Sequence, residues 1–72
     1  MEKKWLLFKD RLRELRLERK LTPKELGDEV GVSDTTITRW ESGRRSPNLE
    51  NIHRLVKFFG VKPGYLIGTE DY

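Results

Sequence analysis

The sequence has no cysteine, no alanine and no glutamine, and a single histidine, in 72 residues. Without cysteine there are neither disulfides nor thiolate metal sites, so core packing or assembly must supply the stability. One histidine, His53, gives no basis for a histidine-ligated metal, and its helical position predicts an exposed side chain. Long apolar runs are missing too. The longest, Trp5 to Phe8, has four residues, far short of the roughly 20 that span a membrane. Lys3 and Lys4 are not followed by the apolar stretch of a secretion signal, so the expected location is cytoplasmic. No segment alternates at period two for long enough to form a strand, which leaves an all-α class. Nothing suggests an enzyme: there is no nucleophilic cysteine, no metal cluster and no phosphate-cradling glycine loop. No cofactor is expected. The lack of alanine and glutamine beside 38% charged residues would suit a heat-adapted protein.

What is present is charge, unevenly placed. The net charge is +3 from 15 basic and 12 acidic side chains. Residues 1–20 and 39–46 are basic, whereas 21–38 is acidic through Glu25, Asp28, Glu29 and Asp34. A chain this short is one domain, 1–72, close to the lower size at which a core holds a fold alone.

Periodicity and caps divide the chain into five helices. A helix is expected over 4–20, with Trp5, Phe8, Leu12 and Leu15 on one stripe and Leu6, Leu7 and Leu17 off it. Thr22-Pro23-Lys24-Glu25 has the form of a capping box with proline at the first helical position, opening a helix over 23–30. Gly31 stops it, and Ser33 caps a third helix over 34–42 that buries Ile37 and Trp40. Asn48 caps a fourth helix over 49–59, with Leu49, Ile52, Leu55, Val56 and Phe59 as its apolar face. A short turn from Pro63 to Gly68 closes the chain.

Helices 2 and 3 meet through the three-residue turn Gly31-Val32-Ser33, with the small Gly27 where the two would approach most closely. This spacing is the helix-turn-helix pattern, whose second helix enters the major groove of DNA. At about 100° per residue, Trp40 and Glu41 flank Ile37 within about 60°, while Thr35, Thr38, Arg39 and Ser42 lie about 100° to 160° away. The third helix is about 12–14 Å long, comparable with the roughly 12 Å major groove. Arg39 suits the bidentate contact to a guanine edge, and Thr35 and Thr38 offer a hydroxyl or a methyl to a base. Asp34 serves the helix dipole or accepts from a cytosine amino group. For phosphate contacts the expected residues are Thr36, Ser42, Arg44, Arg45, Lys24 and Asn48, which would present the start of helix 4. Arg16 and Glu41 each lie at the margin of a core stripe, where a lone charge would be costly, and suggest a pair.

From Phe8 to Gly68 the chain resembles the lambda-repressor-like, Cro-type (XRE-type) helix-turn-helix proteins. The resemblance rests on Arg11-Leu12-Arg13-Glu14-Leu15-Arg16, Leu21-Thr22, Glu25-Leu26, Val30-Gly31-Val32-Ser33, Ile37-Thr38-Arg39-Trp40-Glu41, Gly43, Pro47 and Phe59-Gly60-Val61. It implies a compact five-helix bundle that binds double-stranded DNA, usually as a two-fold homodimer on an inverted-repeat operator, in a transcriptional regulator, chiefly a repressor, of prokaryotic or phage type. It also implies the same Arg16–Glu41 bridge between helices 1 and 3, and dimerisation through helix 5 and the loop before it, with Leu66 and Ile67 as contacts. The chain departs from the family at Pro23, where many relatives carry a glutamine that clamps a phosphate. Proline has no N–H, which leaves Thr22 or Lys24 to hold that phosphate instead. The competing expectation is a protein-interaction module, such as an antitoxin that also binds its own operator. Its toxin-like partner would sit on Leu6, Leu7 and Leu17, or on Leu66, Ile67 and Tyr72.

Overall fold

The computed structural model describes residues 7–70, with the side chain of Leu7 outside that description. Trp5, Leu6 and Tyr72, expected on a core stripe or a partner surface, lie outside the described residues. Five helices follow one another: α1 (Leu7–Glu18), α2 (Pro23–Val30), α3 (Asp34–Glu41), α4 (Leu49–Phe59) and α5 (Pro63–Ile67). Among the described residues there is no strand, and no helix is long and apolar enough to cross a membrane.

Several helix ends have a local cause. Thr22 and Glu25 form the reciprocal capping box that opens α2, with Pro23 in its first turn. Ser33 and Asn48 accept from the backbone N–H groups of Thr36 and Asn51, so α3 and α4 begin where their caps stand. α1 ends at Glu18, two residues earlier than the apolar pattern suggests. Lys20 adopts a left-handed backbone (φ 59°), and the Leu21 N–H closes onto the Arg16 carbonyl at 3.1 Å. That closure is a Schellman-type end, in which a left-handed residue reverses the chain.

The core draws one to three side chains from every helix. Leu12, Leu26, Ile37, Leu55 and Leu66 are fully buried, with Trp40 and Phe59 beside them. Phe8, Leu15 and Ile52 pack against this cluster half-buried. α2 packs chiefly on α3, while α1 spans both α3 and α5, and α4 touches α2 and α5. Arg19 seals one edge. Its guanidinium lies 4.8 Å from the centre of the Phe58 ring and donates to the Phe59 carbonyl. Arg11 seals another, stacking 4.2 Å from the Tyr65 ring centre and donating to the carbonyls of Tyr65 and Glu70. These interactions hold the last helix and the residues after it against α1.

Two expectations are corrected. Leu49, placed on the apolar face of α4, is 83% exposed. It is the first helical residue after the Asn48 cap, one turn before the helix reaches the core. Leu66, expected at a dimer surface, is fully buried within the protomer and has no surface to offer a second copy. Its neighbour Ile67 is 41% exposed. Leu17 and His53 are exposed, as their positions off the apolar stripes suggest.

Candidate nucleic-acid interface

The angle between α2 and α3 is set by backbone as well as by side chains. Gly31 is left-handed (φ 83°), and the N–H groups of Gly31 and Val32 both close onto the Gly27 carbonyl, at 2.8 and 2.9 Å. A Cβ built on Gly27 would collide with the Val32 carbonyl oxygen and come within 3.2 Å of the Ser33 carbonyl carbon. The close approach at Gly27 is therefore made by the turn itself rather than by the side chains of α3. Glycine here keeps the turn folded against α2.

α3 divides into two faces. Ile37 and Trp40 are buried, while Asp34, Thr35, Thr38, Arg39 and Ser42 are exposed. Its orientation is fixed from behind by Arg16 on α1. The Arg16 Nε donates to Glu41 Oε2 at 2.7 Å and its Nη2 to Glu41 Oε1 at 2.9 Å. The third nitrogen, Nη1, donates to the Leu21 carbonyl at 2.8 Å. Only 11% of the Arg16 side chain and 9% of the Glu41 side chain are exposed. The Glu41 hydrogen bonds raise the Arg16 pKa above its ordinary value, with attraction from the carboxylate adding to them and burial opposing. This two-pronged geometry fixes direction as well as distance, which a lysine in place of Arg16 would not. The Leu21 carbonyl carries no sequence signal, because any residue supplies one; only the left-handed turn at Lys20 brings it there.

Hydrogen bonds also decide what the outward face presents. The Thr38 hydroxyl donates to the Thr35 carbonyl at 2.9 Å, and the Ser42 hydroxyl donates to the Arg39 carbonyl at 3.1 Å. Asp34 Oδ1 accepts from the Thr35 N–H at 2.7 Å. The hydroxyls of Ser33 and Thr36 pair with each other at 3.0 Å. Arg39 supplies the cationic side chain of this face, and it is exposed.

The loop after α3 turns at Gly43 (φ 80°). The Arg44 and Arg45 N–H groups fold back onto the Arg39 carbonyl, at 3.0 and 3.3 Å, leaving both side chains exposed. Asn48 caps α4 a few residues on. The α2 entrance is less favourable to an anion than the sequence suggests. The Thr22 N–H donates to the Glu25 carboxylate at 2.8 Å, and Lys24 lies 3.6 Å from Asp28. Thr22 and Lys24, expected to hold a phosphate where Pro23 cannot, therefore each carry an acidic neighbour. Among the described residues no group of acids and histidine gathers in a metal-binding arrangement.

A five-helix bundle with a capped α2, a three-residue turn and an outward polar α3 defines a helix-turn-helix domain. The helix-turn-helix family model matches residues 12–66, and the chain belongs to this family of lambda-repressor-like, XRE-type proteins. It is 35% identical over 65 residues to the cryptic phage CTXphi transcriptional repressor RstR of Vibrio cholerae, covering 90% of this chain and 59% of that protein. It is 39% identical over 64 residues to an uncharacterized HTH-type transcriptional regulator of Methanocaldococcus jannaschii, covering 89% and 97%. The crystal structure of the P22 c2 repressor in complex with synthetic operator 9T superposes with a TM-score of 0.83 at 35% identity, covering 88% of this chain and 96% of that one. The chain spans about three fifths or less of the length of several curated relatives, RstR at 59% and the Salmonella phage P22 repressor C2 at 28% among them.

Proposed function

We propose that this protein is a sequence-specific, double-stranded DNA-binding transcriptional regulator that inserts α3 into the major groove, most simply as a repressor. The observation that carries this reading is the division of α3. A short exposed polar face stands opposite Ile37 and Trp40 and is held at a fixed angle by the buried Arg16–Glu41 pair. The helix-turn-helix relatives, which include transcriptional repressors, support it. Arg39 reads a guanine edge, with Asp34, Thr35 and Thr38 beside it. Arg44 and Arg45 supply phosphate contacts after α3, and the N-terminus of α4 at Asn48 offers its first-turn N–H groups. Thr36 and Ser42 line the rim of the same surface, and Thr22 and Lys24 contribute weakly because of Glu25 and Asp28.

A single such head makes few base contacts, so the active form is a homodimer on an inverted repeat with half-sites about one helical turn apart. Ile67 and Leu49 provide exposed apolar surface for the second copy, on depressions that both border Ile52.

The test is selection of bound sequences from a random duplex pool, followed by anisotropy titration. A two-fold symmetric site should emerge. Arg39→Ala should relax the preference at one position per half-site, at a cost of about 1–3 kcal/mol, while non-specific binding persists. Arg44→Ala should weaken binding to all sequences and lower the salt slope by about 1. A pool that yields no preferred sequence would overturn the reading.

A further inference from the structure

Resting on the DNA-reading role of α3, we propose that Thr38 selects a thymine through its methyl group, so that each half-site pairs an Arg39-read guanine with a methyl-read thymine. A threonine on a recognition helix has two ways to read a base: its hydroxyl exchanges hydrogen bonds, or its γ-methyl packs on the C5-methyl of thymine. The two are chemically separable. In this structure the Thr38 hydroxyl folds back to donate to the Thr35 carbonyl at 2.9 Å. It is therefore not available as a donor to guanine N7 or O6, or to thymine O4. Redirecting it to a base would only exchange one hydrogen bond for another. Leaving it folded keeps the methyl available for contact on an exposed helix face.

The surroundings point the same way. Ser42, one turn further along this face, has its hydroxyl proton held by the Arg39 carbonyl. Asp34 is an acceptor, with Oδ1 already engaged by the Thr35 N–H. Arg39 and the Thr35 hydroxyl, which has no hydrogen-bond partner among the described residues, are the donors that remain. A face so poor in donors is badly matched to a run of guanines, whose major-groove edges present only acceptors. One guanine opposite Arg39, with methyl-bearing thymine facing Thr38, suits it.

Two variants and one altered base test the idea on the site selected from the random pool. Thr38→Val keeps both γ branches and removes the hydroxyl; Thr38→Ser keeps the hydroxyl and removes the methyl. Each thymine of the half-site is replaced in turn by deoxyuridine, which lacks only the C5-methyl. The parent protein should lose about fourfold in affinity at one thymine, the worth of roughly one buried methyl. Thr38→Val should show the same loss, whereas Thr38→Ser should bind the two DNAs equally. Three results would overturn the proposal: no thymine sensitive to its methyl, a sensitive thymine that stays so in Thr38→Ser, or a preference lost in Thr38→Val. Failure of the DNA-reading role itself is recognised separately, since no sequence would then emerge from the pool.

Discussion

The α2–turn–α3 unit and the margin formed by the start of α4 with α5 are built on opposite principles. In the first, the groups that set its shape are matched: reciprocal caps, two N–H groups on one carbonyl, and behind α3 a buried arginine of α1 with three acceptors. In the second, apolar side chains stand in the open, Leu49 at 83% and Ile67 at 41% exposure. α4 is capped as well as α3, so the difference is not one of helix formation. It lies in what the side chains meet. The first region is finished within one protomer and can present α3 at a set angle before DNA arrives. The second keeps apolar surface uncovered, where the proposed second copy would sit. Removing matched groups should therefore destabilise the fold, whereas removing exposed apolar ones should alter only association.

The largest test of the matched region is Glu41→Leu, which leaves the Arg16 guanidinium buried without its carboxylate. Breaking a buried pair from one side should cost roughly 3 kcal/mol of stability, read as a lower midpoint in urea denaturation. Arg16→Met together with Glu41→Leu should recover part of that loss. The coupling in the double-mutant cycle should exceed the 0.2–1 kcal/mol or so of exposed pairs. Additive effects would show that the pair is incidental. With Glu41 ionised, the raised Arg16 pKa means that the stability the guanidinium contributes is fully present below the ordinary arginine range and is lost as pH rises through the raised value.

Next in size is Gly27→Ala. Helix propensity alone would reward alanine by up to about 1 kcal/mol. The collision of its Cβ with the Val32 carbonyl reverses the sign, because the obstacle is backbone and cannot swing aside. A net loss of about 2 kcal/mol is expected, within the range for overpacked sites, again by urea denaturation. A stabilised variant would mean that the turn yields easily and does not fix the angle of α3.

The same two regions differ in how far the sequence reveals them. Thr22, Pro23, Ser33 and Asn48 mark helix starts through side chains, so the bounds of α2 and α4 and the start of α3 can be read directly. The Arg16–Glu41 pair is also legible, from two charges on the margins of core stripes. Leu66 and Leu49 exchange the roles expected of them: a stripe gives the face of α4 but not where along its length the core begins, and the resemblance names the helix of an interface but not which of its side chains face outward. Leu66, on a helix of five residues, lies at the centre of the bundle. The left-handed turn at Lys20, which shortens α1 and brings the Leu21 carbonyl to Arg16, has no glycine to announce it. Hydroxyl partners such as Thr38 with Thr35 depend on rotamer choice, which no spacing rule reaches.

The smallest effect on stability, and the sharpest contrast, is expected of Leu49→Ser. A side chain that is 83% exposed contributes little packing within the protomer, and serine suits the first turn of a helix. The unfolding free energy should therefore change by no more than about 0.5 kcal/mol. Association should respond differently. Covering a leucine fully is worth about 1.5–3 kcal/mol, so even the lower value predicts a dimer weakened at least tenfold, measured by sedimentation equilibrium. DNA affinity should fall with it under dilute conditions while the preferred half-site stays the same, since Arg39 and Thr38 are untouched. A drop in unfolding free energy above about 1 kcal/mol would put Leu49 back in the protomer core. Unchanged association with unchanged stability would place the second copy elsewhere, and the exposed margin of α4 would lose its proposed role.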